Sequence, residues 1–344
     1  MSSSLTANLL PALGSKIHLL DSGLMMLRVF VVFALLFSGL VHAAAPTVLQ
    51  RPISLDTGSG MLYGSLLLPR TEQPPPVVLI IPGSGPTDRN GNSPDGAHTD
   101  NLRQLALVLA KNRIASVRYD KRGVAASRPA TPDERNLSVE RYVADAVAWS
   151  RALKADPRFG QLILLGHSEG ALIASLAAEA SDASAVISVA GSGRPIDEVF
   201  RAQLADQVPA PYRQRVGQIL DSLKAGHPAA DVPLPLQDVL RPSVQPYLIS
   251  LFRQDPAAAF ASVKVPALII QGTHDVQVDV SNAERLKAAK PDAELALIQG
   301  MNHMLRIAPQ AASQQRESYL NPKLPQASEL GTRVVDFIHR LPAA

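Results

Sequence analysis

Two apolar runs without alternation stand out along the chain, Val77-Val78-Leu79-Ile80-Ile81 and Leu162-Ile163-Leu164-Leu165. A strand with one face in water alternates apolar and polar positions. An unbroken run suits a strand covered on both faces, as in a parallel sheet. Ile114 to Tyr119, Ala185 to Val189, Ala267 to Ile270 and Glu294 to Ile298 read as further strands. Between and after them, Leu102 to Lys111, Val139 to Lys154, Ala171 to Ala180, Val280 to Ala289 and about Ala327 to Leu341 read as helices. Such alternation predicts an α/β fold, a mostly parallel sheet flanked by helices. Ahead of it, Val48 to Asp56 and Met61 to Leu68 flank the turn-rich Asp56-Thr57-Gly58-Ser59-Gly60 and predict an opening hairpin. Pro74-Pro75-Pro76 then forms a stiff spacer that cannot join a central strand. The alternation breaks over about 193–263, a stretch rich in Pro, Gln and Asp with helix-like segments. It predicts a helical lid inserted over the strand ends.

The N-terminus carries a different pattern. Leu27-Arg28 precedes the apolar stretch Val29 to Val41, and small residues follow at Ala43-Ala44-Ala45. A positive start, an apolar stretch and a small-residue exit predict a secretory signal peptide over 1–43, cleaved after Ala43, with the folded domain over 46–344. Met1 to Leu24 is long for such a leader, with Lys16 and Asp21 its only full charges. A start at Met25 or Met26 would leave a compact leader with Arg28 in its basic region. The leader predicts export, to the periplasm or beyond. The alternative is an uncleaved N-terminal anchor, the only membrane attachment the sequence suggests; the apolar run is short of the roughly 20 residues of a span.

Composition narrows the chemistry. The formal net charge of the 344 residues is +3, and Lys and Arg are scattered along the chain. Nucleic acid is therefore not an expected partner, since its footprint is a basic face or stripe. The absence of cysteine removes disulfides, thiolate nucleophiles and Cys-based zinc sites together. Nothing in the sequence sets an oligomeric state.

Gly166-His167-Ser168-Glu169-Gly170 fits G-x-S-x-G directly after a buried strand and at the start of a helix. A serine there sits on a tight strand-to-helix turn, where glycines let neighbouring backbone come close. Its hydroxyl needs a base to become a nucleophile. In this arrangement an acid and then a histidine follow the serine along the chain. Asp275 lies beyond the strand Ala267 to Ile270, and His303 beyond the strand ending at Ile298. Both thus stand on loops at the sheet edge that carries Ser168. His303 is the expected base, and Asp275 the residue that orients it. Competing residues have simpler roles: Asp279 as a helix cap, His274 beside the acid, and His167 in local packing or hydrogen bonding. A negative oxygen formed by attack on a carbonyl needs two N–H donors. Glu169, next to the nucleophile, is expected to supply one. Ser84, in the small-residue loop Ile81 to Pro86, is expected to supply the other, with Gly83 as second choice.

These residues together resemble the α/β-hydrolase superfamily, over about Val48 to Leu341. Pro82 to Asn92, Arg118 to Gly123 and Gly166 to Gly170 resemble its esterase-like branch grouped with serine aminopeptidase-like hydrolases. One departure is Pro82, which stands in the histidine's place of the common His-Gly oxyanion loop. The resemblance implies cleavage of a small carboxylic ester through an acyl-enzyme on Ser168, with no cofactor. A peptidase or amidase using the same triad is the alternative, and a non-catalytic binding protein on a hydrolase scaffold is a third. The Glu169 carboxylate could bind a substrate amine or pair with an arginine as structure. Asp120 and Arg122 are expected to hold loops around the site through an ion pair. Asp88, Asn90 and Asn92 superficially match calcium-loop spacing but lack the glycine and distal glutamate. Asx-turns, and no metal, are expected there.

Overall fold

The computed structural model describes residues 48–94, 96–205 and 208–342. The leader expected over 1–43, the cleavage after Ala43 and the starts at Met25 or Met26 lie outside the described residues.

The chain opens with the antiparallel hairpin of β1 (Val48–Asp56) and β2 (Met61–Pro69). Asp56 Oδ1 accepts the Gly58 N–H at its turn. There follow β3 (Val77–Ile81), α1 (Asn101–Lys111), β4 (Ala115–Tyr119), α2 (Val139–Lys154), β5 (Leu162–His167), α3 (Glu169–Ser181) and β6 (Ala185–Val189). Between β6 and β7 lie α4 (Ile196–Ala205), α5 (Arg213–Lys224), α6 (Gln237–Leu240), α7 (Gln245–Phe252) and α8 (Pro256–Ala261). The chain ends with β7 (Ala267–Gly272), α9 (Val280–Ala289), β8 (Glu294–Ile298), α10 (Arg316–Leu320) and α11 (Ser328–His339).

The strands form one eight-stranded sheet in the order β1-β2-β4-β3-β5-β6-β7-β8. Only the β1–β2 and β2–β4 pairs are antiparallel; the pairs from β4–β3 to β7–β8 are parallel. Every residue of β3, β4, β5 and β6 is buried, as expected of strands covered on both faces. Their side chains still obey the two-residue period of a strand. Val77, Leu79, Ile81, Leu162 and Leu164 join one core with Trp149 and Leu153 of α2 and Leu172 and Ile173 of α3. Val78, Ile80, Ile163 and Leu165 join the other with Leu102, Leu105 and Leu109 of α1 and Leu330 and Val334 of α11. Both faces of the sheet are thus covered, which leaves its strand ends as the place for a site.

Leu164 is fully buried in a central strand. Leu164→Ala is expected to lower unfolding stability by about 3 kcal/mol, read as a reduced denaturant midpoint with an unchanged slope.

Candidate active site

Ser168 occupies the residue between β5 and α3, with φ 56° and ψ −122°. An L-residue rarely adopts that conformation, which costs on the order of 1–3 kcal/mol and persists only when its surroundings enforce it. They do so here through two close approaches. A Cβ on Gly166 would collide with the Gly170 carbonyl, and one on Gly170 with the Ile81 carbonyl. The Ser168 N–H is tied to Val189 O at 2.9 Å. The turn leaves Ser168 partly accessible at the start of α3.

The structure brings the three expected residues together. His303 Nε2 lies 3.1 Å from Ser168 Oγ, and His303 Nδ1 lies 2.8 Å from Asp275 Oδ2. Asp275 is held in turn: its Oδ1 accepts the N–H groups of Gln277 and Val278, both at 2.9 Å, and its Oδ2 accepts from Gln271 Nε2 at 3.1 Å. Burial pushes the Asp275 carboxyl up, but the His303 ring and the two backbone N–H groups outweigh it and hold it below the ordinary carboxylate range. An ionised Asp275 keeps the proton on Nδ1 and leaves Nε2 free to accept one from Ser168.

Ser84 and Gly83 lie on the loop after β3. A Cβ on Gly83 would come within 3.2 Å of Ser168 Cβ, so this loop runs directly over the serine. Buried and half-buried charges fix its course. Arg89 gives Asp120 two side-chain hydrogen bonds, Nε to Oδ1 at 3.0 Å and Nη2 to Oδ2 at 2.6 Å, and a backbone one at 2.8 Å. Asp88 Oδ1 accepts from Asn90 N and Asn92 N, the expected Asx geometry. A cavity of about 770 Å³ opens above Ser168, between Ser84, Gly85 and Pro86 on one side and Ile196, Val199 and Phe200 of α4 with Leu248 and Leu251 of α7 on the other. Among the described residues, no cluster of three His, Cys, Asp or Glu side chains is placed to hold a metal ion.

Several partners differ from expectation. Asp120 and Arg122 do not pair with each other. Asp120 takes Arg89, while Arg122 forms a buried pair with Asp145 of α2, Nε to Oδ2 at 2.7 Å. Adjacent residues in this loop send their side chains to different neighbours. His167 hydrogen-bonds far along the sequence, its Nε2 to the His303 carbonyl at 2.9 Å. His274 Nδ1 meets Ala308 O, and Asp279 caps α9 through Ser281 N. Glu169 has no arginine partner among the described residues. Both of its carboxylate oxygens are buried, near Lys121, Tyr142 and the Tyr247 hydroxyl. Sequence reasoning passed over Lys121 altogether, although it stands between two residues singled out in the same run. Its one usable signal was a lysine two residues beyond a fully buried strand.

The Alpha/beta hydrolase family model matches residues 77–314, and this chain belongs to that family. Its fold is the α/β-hydrolase fold. Among curated proteins it is similar to the esterase EstD of Thermotoga maritima, 27% identical over 258 residues that cover 71% of this chain and 58% of EstD. The chain thus spans little more than half of that relative's length. Among solved structures it is similar to Est1E from Butyrivibrio proteoclasticus with ferulic acid bound, at a TM-score of 0.57, 15% identity, and coverage of 84% of this chain and 98% of that one. Proline iminopeptidase of Mycobacterium smegmatis is similar at a TM-score of 0.55 and 16% identity, with the same coverage of each chain. These two likenesses show the fold alone.

Burial, aided by the neighbouring His303, depresses His167 from 6.5 to about 3. Between those values the unfolded chain takes up a proton that the folded chain does not, so stability falls as pH falls. One such group gives a slope of up to about 1.4 kcal/mol per pH unit. Chemical denaturation between pH 6.5 and roughly 5, above the ordinary Asp and Glu values, is expected to show a loss of stability toward acid in the native chain and a flatter line in His167→Phe.

Proposed function

We propose that this chain is a serine hydrolase that cleaves carboxylic esters through an acyl-enzyme on Ser168. The observation that carries the reading is the continuous relay from Asp275 through His303 to Ser168 Oγ at the floor of a largely apolar cavity. Ser168 Oγ attacks the ester carbonyl carbon as its proton passes to His303 Nε2. The carbonyl oxygen takes the negative charge, and the N–H groups of Ser84 and Glu169 receive it. The bond to the alcohol oxygen then breaks, and His303 returns the proton to the departing alcohol. Water repeats the sequence on the acyl-enzyme: it gives a proton to His303, releases the carboxylic acid and restores Ser168. Asp275 stays ionised throughout and stabilises the imidazolium.

The cavity supports a substrate with an apolar acyl group of more than minimal length, because its volume falls in the range of small-molecule sites and Leu172, Phe200, Leu248 and Leu251 line it. The helical stretch over 193–263 acts as the lid that sets this preference. An amidase or peptidase would use the same triad. A reading in which Glu169 binds a substrate amine is disfavoured by the burial of its carboxylate away from solvent. The experiment is a panel of p-nitrophenyl esters of increasing acyl length, run beside amino-acyl amides. Ser168→Ala is expected to lose at least about 1,000-fold in kcat and all labelling by a fluorophosphonate probe. Longer acyl esters are expected to exceed the acetate in kcat/KM. Full turnover by Ser168→Ala overturns the mechanism, and faster amide than ester cleavage overturns the substrate class.

We propose further that the leader over 1–43 places this chemistry outside the cytoplasm. N-terminal sequencing of the protein recovered from the periplasm or medium is expected to begin at Ala44; recovery only in the cytoplasm with an intact leader overturns it.

A further inference from the structure

Lys121 is almost wholly buried, at 1% exposure, yet has no carboxylate within ion-pair distance among the described residues. Burying a charge without a close partner is costly, and an apolar side chain would fill the same space. The surroundings show what the nitrogen is used for. Lys121 Nζ donates a hydrogen bond to the Gly83 carbonyl oxygen. The Tyr142 ring lies 5.1 Å from Nζ, at cation–π distance. Glu169, beside the nucleophile, supplies the negative field: burial lowers the lysine and the charge of Glu169 opposes that shift.

The peptide that Lys121 holds is the one between Gly83 and Ser84. In a trans peptide the C=O and the next N–H point in opposite directions within one plane. A carbonyl fixed on Lys121 therefore fixes the direction of the Ser84 N–H, for which no described residue provides an acceptor. Gly83 cannot fix that plane by itself. A Cβ there would make a tight 3.2 Å contact with Ser168 Cβ, and the glycine that avoids it is the residue most free to rotate its backbone.

We propose that Lys121 is a positioning residue for the oxyanion hole: by clamping the Gly83 carbonyl it turns the Ser84 N–H toward the oxygen that becomes negative above Ser168. The inference rests on the ester-hydrolase reading of the site. The clamp needs only an N–H, so an ammonium or an amine serves. Without it the Gly83–Ser84 peptide is free to turn its carbonyl into the hole, where it would repel the developing charge. The loss falls on the transition state and spares ground-state binding.

The test is steady-state kinetics on a p-nitrophenyl ester with Lys121→Met, alongside a thermal melt and the affinity for a trifluoromethyl ketone, which forms a tetrahedral oxyanion on the serine. Lys121→Met is expected to lose roughly 100-fold in kcat, the scale of one oxyanion donor, with KM within about threefold. Ketone affinity is expected to weaken by a similar factor, and the melting temperature not to fall. Lys121→Arg, which keeps a donor and a charge, is expected to recover at least about a tenfold share of the lost kcat. An unchanged kcat or an unchanged ketone affinity in Lys121→Met overturns the proposal, as does a loss confined to KM. Where Lys121→Met does not fold, the arginine variant decides: a folded Lys121→Arg as inactive as Ser168→Ala overturns it, and one that retains turnover with an unaltered KM supports it. Full turnover by Ser168→Ala would instead refute the reading of the site itself.

Discussion

The turn at Ser168 exists only because the chain on either side of it leaves no room for a side chain. β5 lies beside β3 in parallel register, with Ile81 opposite Gly166. α3 begins immediately beyond, so close that both Gly166 and Gly170 face backbone carbonyls where a Cβ would sit. The conformation of Ser168 is unfavourable in isolation and is held by this crowding. The same proximity carries the Gly83 backbone over the serine. One packing constraint thus sets Ser168, the start of α3 and the height of the facing loop together.

The loop after β4 then fixes what the crowding leaves free. Asp120, Lys121 and Arg122 are all buried and consecutive, yet each serves a different neighbour: Arg89 of the loop that follows β3, the Gly83 carbonyl, and Asp145 of α2. The two ion pairs, Asp120–Arg89 and Arg122–Asp145, add little net stability over apolar residues of the same size, but breaking one costs about 3–5 kcal/mol. Their effect is to select one arrangement of the loops. Three directed contacts from three adjacent residues leave the loop over Ser168 little freedom to slide or rotate.

The sequence made the sheet legible because its central strands are covered on both faces and bounded by glycine and proline. The helices Val139–Lys154 and Val280–Ala289 coincide with the expected segments. Ser168, Asp275 and His303 were legible for a topological reason: residues just beyond parallel strands must gather at one edge of the sheet. What escaped depends on contacts distant in sequence. The partner of Arg122 lies 23 residues away, and that of His167 lies 136 residues away. No periodicity encodes such pairings. The cavity wall escaped for a related reason. It is built by α4 and α7, within a stretch of short helices interrupted by proline, where α7 packs against α2, α4 and α5 in contacts that local propensity does not encode.

The two buried basic groups beside Ser168 are set against each other by their surroundings. His167 is enclosed without a carboxylate of its own, and burial holds it neutral down to about pH 3. Its ring lies 5.0 Å from that of His303, so a charge there would oppose a second charge on the His303 ring. Neutral, it can donate Nε2–H to the His303 carbonyl and hold the loop that carries the base. Lys121 is equally enclosed, but Glu169 opposes the loss of its charge. The identity of the residue after the nucleophile therefore has two separate consequences. Its backbone N–H belongs to the proposed oxyanion hole whatever its side chain, whereas its carboxylate lies buried near Lys121, which donates to the Gly83 carbonyl.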